Sequence, residues 1–575
     1  MTAGKINDWL PTSRKETDAR GWKELDVILF SGDAYVDHPS FGAAVIGRVL
    51  EADGLRVAVV PQPNWRDDLR DFRKLGVPRL FFAISGGSMD SMVNHYTANK
   101  RLRSDDAYTA GNTAGFRPDY AVSVYSQILK RLYPDVPLVI GGIEASLRRL
   151  THYDYWQDKL LPSVLVESKA DLLVYGMGEH IIRKIARRMQ NGESIAGLDD
   201  VPQTAFLSES LPKTCESYIR LHSYESCLQD KRKFAENFRH IETESNRRKA
   251  SGFIEPVAGK YLIVHPPEYL TGEANADMPF ELPYTRLPHP RYGDKHIAAF
   301  EMIKYSINIH RGCFGGCSFC TISAHQGKFV ASRSPASVVR EAERVIRMPG
   351  FKGYLSDLGG PSANMYGMKG KDQASCDKCK RFSCLYPRLC RNLDTSHEPL
   401  RALYHAVRSM KGVKKVCIGS GVRYDLLMNG NGFYSASHAE YFRELLLHHV
   451  SGRLKVAPEH SSERVLEMMR KPPFELFVRL KSAFDDINRT EGLQQQLVPY
   501  FMSSHPACEQ TDMRQLASIL RHMRMNRPEQ VQDFTPTPMT LSSVMYYCGF
   551  DPYSGKKIYV EQQKKNKCKQ KAYFI

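Results

Sequence analysis

The fold turns on one stretch, Tyr305-Ser306-Ile307-Asn308-Ile309-His310-Arg311-Gly312-Cys313-Phe314-Gly315-Gly316-Cys317-Ser318-Phe319-Cys320. Residues 305–309 alternate apolar and polar as a strand does. A C-x3-C-x2-C loop follows at once. Three thiolates on one short loop can hold three irons of a [4Fe-4S] cluster, leaving the fourth iron open to a substrate or cofactor. Gly312, Gly315 and Gly316 let the backbone wrap such a cluster and turn N–H groups toward its sulfurs. The same thiols with His310 or His325 would make a Cys3His zinc site, an alternative that the uneven spacing suits less well.

Working outward, strand and helix patterns alternate from this loop to residue 534. Strands are predicted at 353–358, 415–420, 453–457, 496–502 and 530–534. Helices are predicted at 335–348, 399–410, 437–448, 462–469, 475–488 and 512–523. Six βα units predict a full or partial parallel barrel, with the cysteine loop at its C-terminal face, where barrel enzymes keep their active sites. Upstream, apolar strands at 26–30, 56–60, 79–85, 137–142 and 171–175 are separated by helical segments at 40–51, 66–75, 121–132 and 181–189. That pattern predicts a doubly wound parallel sheet. Gly86-Gly87, Gly141-Gly142 and Gly176/Gly178 close its strands, where ligands bind in such sheets. The expected divisions are an N-terminal extension (1–20), an α/β domain (21–223), a charged and proline-rich connector (224–293), a barrel (294–550) with a cysteine-rich insertion (366–398), and a basic tail (551–575).

Composition sets outer bounds. The chain has 575 residues, 42% hydrophobic and 25% charged, with 40 Gly and 32 Pro; this is globular composition, not a disordered or fibrous one. No run of eighteen apolar residues points to a membrane span, and the N-terminal stretch lacks an apolar signal core. A cytoplasmic location without membrane contact is expected. The net charge of +17 allows nucleic-acid binding. Much of it is local, however: seven Lys follow position 555, and seven Lys/Arg lie between Lys369 and Arg391. A solvated basic surface explains it equally well. No Walker A loop, H-E-x-x-H or G-x-S-x-G motif occurs.

Seven of the thirteen cysteines lie between positions 313 and 390. Cys376-x2-Cys379-x4-Cys384-x5-Cys390 forms a second group inside the insertion, among Lys378, Lys380, Arg381, Arg388 and Arg391. Four thiols suffice for a closed zinc site or a second iron–sulfur cluster. A bound metal is expected there, its identity left open, against the alternative of free thiols in a surface loop.

The C-x3-C-x2-C loop with Phe319 before its last cysteine resembles the radical S-adenosylmethionine (SAM) superfamily. Four further blocks resemble its YgiQ family: Gly141–Arg149 with His152–Trp156, Ala324–Gly327, Asp357–Tyr366, and Ala457–His460. The resemblance implies a cobalamin-binding-like α/β domain followed by a radical SAM partial barrel. It implies that Cys313, Cys317 and Cys320 ligate a [4Fe-4S] cluster. It also implies that the open iron takes SAM, and that one electron from a flavodoxin- or ferredoxin-type donor cleaves SAM to a 5′-deoxyadenosyl radical acting on an unknown substrate. Gly359 and Gly360 fall at the glycine-rich SAM-binding motif, where Pro361 replaces the usual acidic residue. Ser420, Arg423 and Glu459 are further candidates for holding SAM. The cobalamin pattern D-x-H-x-x-G is broken: Asp37 and His38 are adjacent, and Gly42 lies four residues on. Cobalamin is therefore not expected, and the glycine-ended strands are read as shaping a substrate pocket. The competing class is a non-catalytic iron–sulfur or zinc scaffold that binds nucleic acid through its basic surface.

Overall fold

The computed structural model describes residues 5–269, 272–525 and 528–574. Parts of the expected N-terminal extension (1–4), connector (270–271) and tail (575) lie outside the described residues. The chain divides into two units. The first comprises Met1–His240, Ala250–Leu270 and Met278–Lys304; the second comprises Ile241–Lys249, Thr271–Asp277 and Tyr305–Ile575.

In the first unit, five parallel strands stand in the order Val57–Pro61, Val27–Ser31, Phe81–Ser85, Leu138–Gly141 and Leu172–Val174. Each is apolar and almost wholly buried, because helices cover the sheet. Helices Gly42–Ala52 and Glu179–Gln190 supply Val45, Val49, Ile181 and Ile185 to one shared core. The helix expected at 66–75 shrinks to Arg70–Arg73; Arg66, Asp67 and Asp68 before it are charged and exposed.

Four strands of the main sheet were not read from the sequence. Thr204–Ser208 joins the parallel set antiparallel, and Lys260–Val264, Phe253–Val257 and Ile219–Arg220 complete a nine-stranded sheet. Within the segment expected to be a connector, Phe253–Val257 and Lys260–Val264 are thus strands of this sheet. Its hairpin turns at Ala258 and Gly259, both with positive φ, as a two-residue turn that follows strand twist requires. The N-terminal extension is likewise no appendage. Trp9 and Leu10 are buried with Tyr35, Val36, Ile297 and Phe300.

In the second unit, Ser306–Asn308 pairs in parallel with Asp357–Gly359, and Tyr354–Leu355 with Lys415–Val416. Arg453–Glu459, Gln496–Ser503 and Gln530–Asp533 form a parallel sheet in chain order. Helices Pro335–Ile346, Glu398–Arg408, Ala436–Glu444, Glu463–Met469, Phe474–Thr490 and Gln510–His522 alternate with these strands. This is the partial barrel of six units. The basic tail departs from expectation. Its helix Lys564–Ala572 buries Gln570, which accepts from the Ser504 N–H (2.8 Å) and donates to the Cys508 carbonyl (3.2 Å). Lys567 is buried and donates to the Tyr546 hydroxyl at 3.0 Å. The docking residues are polar, which is why no apolar periodicity announced the helix.

Candidate active site

The cysteine loop leaves the first barrel strand and is fixed by its glycines. Gly312 has φ +84°, and a Cβ there would lie 2.3 Å from the Phe329 carbonyl oxygen. Gly316 has φ +66°, and a Cβ there would lie 2.7 Å from the Phe382 carbonyl oxygen. Only glycine meets both demands. The Gly312 N–H donates to Gln326 Oε1 (3.0 Å) and the Cys313 N–H to the Gly327 carbonyl (3.1 Å). At the far end, Ser318 donates its N–H to the Met469 carbonyl at 3.1 Å, and Phe319 packs edge-on to His505.

The thiols are held close to backbone donors and to one cation. Arg423 Nη1 donates to Cys317 Sγ at 3.4 Å, and Ser362 Oγ lies 3.9 Å from Cys313 Sγ. A Cβ on Gly315 would lie 2.4 Å from Arg423 Nη1, so this glycine admits the guanidinium to the loop. Burial pushes up the thiol pKa values of Cys313 and Cys320, the latter to about 12, and the neighbouring thiols add to the effect for both. Such thiols are protonated until a metal displaces the proton. Burial also opposes the Arg423 charge, but Asp425 and Cys317 outweigh it and raise its pKa. Asp425 accepts from Arg423 Nε at 3.0 Å.

Beside the loop lies a cavity of about 280 Å³, walled by Pro361, Ser362, Arg423, Tyr424, Asp425 and Lys471 among others. Of the candidates for holding SAM, Arg423 lines this cavity and also reaches the cysteine loop. Glu459 is buried behind it and pairs with Lys471 at 3.7 Å; its burial raises its pKa against the pull of Lys471. Ser420 is not in the cavity wall: its Oγ donates to Asp357 Oδ1 at 3.1 Å. Gly359 and Gly360 are glycine because neighbours press on them. A Cβ would lie 2.3 Å from Ser420 Oγ in one case and 2.5 Å from the His310 ring in the other. Asp425, Lys471 and Ser362 were missed. The Arg423-x-Asp425 spacing was a visible signal, whereas nothing local marks Lys471.

The residues fit a cluster better than one ion. Among the described residues, no three His, Cys, Asp or Glu side chains converge as ligands of a single metal would. His310, offered above as a zinc ligand, is buried beneath Gly360 with neither ring nitrogen hydrogen-bonded.

The second cysteine group rings a smaller cavity of about 140 Å³ to which Cys376, Cys379, Cys384 and Cys390 all contribute. In the first unit, Asp37 and His38 are buried. Asp37 Oδ1 accepts from Arg48 Nε (3.0 Å), and His38 Nδ1 accepts from the Ser40 N–H (3.1 Å). No helix among the described residues is long and apolar enough to cross a membrane.

Comparison with known proteins bears on all of this. The Radical SAM N-terminal family matches residues 9–306, and a domain of unknown function, DUF3362, matches residues 529–575. A UPF0313 protein of Bacteroides thetaiotaomicron is 59% identical over 591 residues, covering 100% of this chain and 95% of that protein. UPF0313 protein YgiQ of Escherichia coli K12 is 42% identical over 624 residues, covering 98% of this chain and 83% of that protein. Among solved structures, the radical SAM methyltransferase TsrM of Kitasatospora setae, with cobalamin and a [4Fe-4S] cluster bound, aligns with a TM-score of 0.51. It is 13% identical, with 96% of this chain and 91% of that one covered. This likeness corrects the expectation against cobalamin. A fold of this kind carries cobalamin in TsrM, so a broken D-x-H-x-x-G pattern is no ground for excluding it. By sequence and by architecture the chain belongs to the YgiQ, or UPF0313, family of radical SAM enzymes.

Proposed function

We propose that this enzyme cleaves SAM reductively at a [4Fe-4S] cluster held by Cys313, Cys317 and Cys320, and acts through the resulting radical on a substrate not yet identified. One observation carries the reading: three thiols and no fourth on the loop, beside a cavity with both signs of charge in its wall. When bound, the cluster and SAM supply one-electron cleavage and a 5′-deoxyadenosyl radical; the hard chemistry is theirs.

The chain's part is placement. Arg423 offsets the thiolate charge at Cys317, and Asp425 holds that guanidinium in place. Lys455 and Lys471 offer cations to the SAM carboxylate. Asp425, with Glu459 behind it, supplies the anion for the SAM ammonium that Pro361 cannot. Tyr424, Val422 and Tyr500 wall the cavity and keep water from it. TsrM's cobalamin makes a corrinoid a second cofactor to test, by whether added hydroxocobalamin stays with the chain through gel filtration. No observation favours the nucleic-acid scaffold.

The test is anaerobic reconstitution with iron and sulfide, followed by SAM and a strong reductant, with 5′-deoxyadenosine as the readout. The wild type should form it, and Cys317→Ala should form none. Equal yield from both would overturn the ligand assignment.

A further inference from the structure

The four cysteines of the insertion do more than sit near one another. Cys376, Cys379, Cys384 and Cys390 line one cavity of about 140 Å³. A single water takes roughly 30 Å³ of liquid, so the space far exceeds what one ion fills. The remaining wall is largely apolar and includes Phe314, Phe329, Val330, Met368 and Leu393. Two sulfurs already receive N–H donors: Asn392 Nδ2 to Cys376 Sγ at 3.3 Å, and the Arg381 backbone N–H to Cys379 Sγ at 3.4 Å. Arg248 and Lys328 add positive charge at the cavity. Thiols, N–H donors and cations around a largely apolar space are what an anionic multi-iron cluster requires.

This cavity adjoins the first cysteine loop. The Cys384 N–H donates to the Phe314 carbonyl at 3.0 Å, and Ser383 Oγ to the Gly315 carbonyl at 2.7 Å. Phe314 follows Cys313 directly and forms part of the cavity wall. Cys313, Cys384 and Cys390 pack against one hydrophobic cluster. On the outer side, Lys371, Lys378, Lys380, Arg388 and Arg391 are exposed.

From this placement we infer that Cys376, Cys379, Cys384 and Cys390 hold a second [4Fe-4S] cluster that relays electrons to the first site. The exposed cations dock an acidic one-electron carrier protein of the flavodoxin or ferredoxin type. One electron leaves the reduced carrier, which is oxidised by one equivalent, enters the second cluster and passes on past Phe314. No bond forms and no proton moves. The cluster assignment stands alone; its relay role rests on the function proposed above.

The experiment uses the full chain, reconstituted anaerobically, with iron, zinc and acid-labile sulfide counted and the reduced protein examined by electron paramagnetic resonance. The wild type should carry about eight irons, and Cys313→Ala/Cys317→Ala/Cys320→Ala about four, with a signal that SAM does not alter. Cys376→Ser/Cys384→Ser should keep a SAM-sensitive signal. It should cleave SAM normally with dithionite but roughly tenfold more slowly with reduced flavodoxin, about 1.4 kcal/mol in the barrier. About four irons plus one zinc in the wild type would overturn the cluster, and so would an iron-free triple variant. The wild-type count decides this even if a variant fails to fold. Equal loss with both reductants in the Cys376→Ser/Cys384→Ser variant would overturn the relay. Failure of the wild type to cleave SAM, with iron retained in the triple variant, would instead refute the function proposed above.

Discussion

The two cysteine groups are neighbours built on different terms. The first has three thiols on a backbone forced into shape by left-handed glycines, with Arg423 on one sulfur and a polar cavity of about 280 Å³ beside it. The second has four thiols around about 140 Å³ of largely apolar space; the donors that bond its sulfurs are an amide side chain and a backbone N–H. The difference teaches that the number of thiols tracks what else a site has to bind. Three would leave a cluster iron without a thiolate, beside a charged cavity that can receive a ligand. Four would close a bound cluster off, and the apolar wall would then set its electronics.

The sharpest break of this comparison is Gly312→Ala. The alanine would need left-handed backbone, costing about 1–2 kcal/mol. Its Cβ would also drive into the Phe329 carbonyl, 2.3 Å away, which is backbone and cannot swing aside. The first site should lose its iron entirely while the second keeps its own. Iron counting checks this, and equal loss at both sites would show the two to be one cooperative unit. Next in size is Arg423→Gln. A lost outer partner of a metal ligand costs about 10- to 100-fold in affinity or activity, so SAM cleavage should fall by that factor. The substitution also leaves Asp425 buried without its partner, which destabilises by about 3–5 kcal/mol. The double variant Arg423→Gln/Asp425→Asn separates fold from site: its melting temperature should recover while cleavage stays defective, since it lacks both the cation at Cys317 and the anion proposed for the SAM ammonium. Recovery of both would mean that Arg423 serves only the fold.

Much of this was legible in the sequence, for identifiable reasons. The barrel strands announce themselves as short apolar or alternating runs separated by helical periodicity. Cys313, Cys317 and Cys320 announce themselves because they share one loop. What stayed hidden is what the chain assembles from distant pieces. Arg423 reaches Cys317 across 106 residues, and Lys471 meets Glu459 through a loop that carries no motif. The hairpin at 253–264 was masked by surrounding prolines and charge. The helix at Lys564–Ala572 was masked because Gln570 and Lys567 dock it through hydrogen bonds. Ser420 shows the same limit: a serine after a barrel strand looks free in sequence, and here its Oγ donates to Asp357.

The finest test touches one residue at the second group. Asn392 donates to Cys376 Sγ, and its Oδ1 also accepts from the Asp372 N–H at 2.8 Å, clipping the loop. Its Nδ2 donates to the Asp372 carbonyl as well, at 2.8 Å, so Asn392→Ala removes three bonds, at a net cost of about 1 kcal/mol for each. Asn392→Asp keeps the acceptor for the Asp372 N–H but loses the donor to the Asp372 carbonyl, and replaces the donor to sulfur with a negative charge. If Cys376 ligates a cluster, both variants should keep their iron and lower the reduction potential of the second signal, the aspartate more than the alanine. The first signal and dithionite-driven SAM cleavage should not change. A potential that moves only in the alanine variant would assign Asn392 to the loop clip. Potentials unmoved in both would remove Cys376 from the ligand set, leaving the insertion with three thiols like its neighbour and erasing the contrast between the two sites.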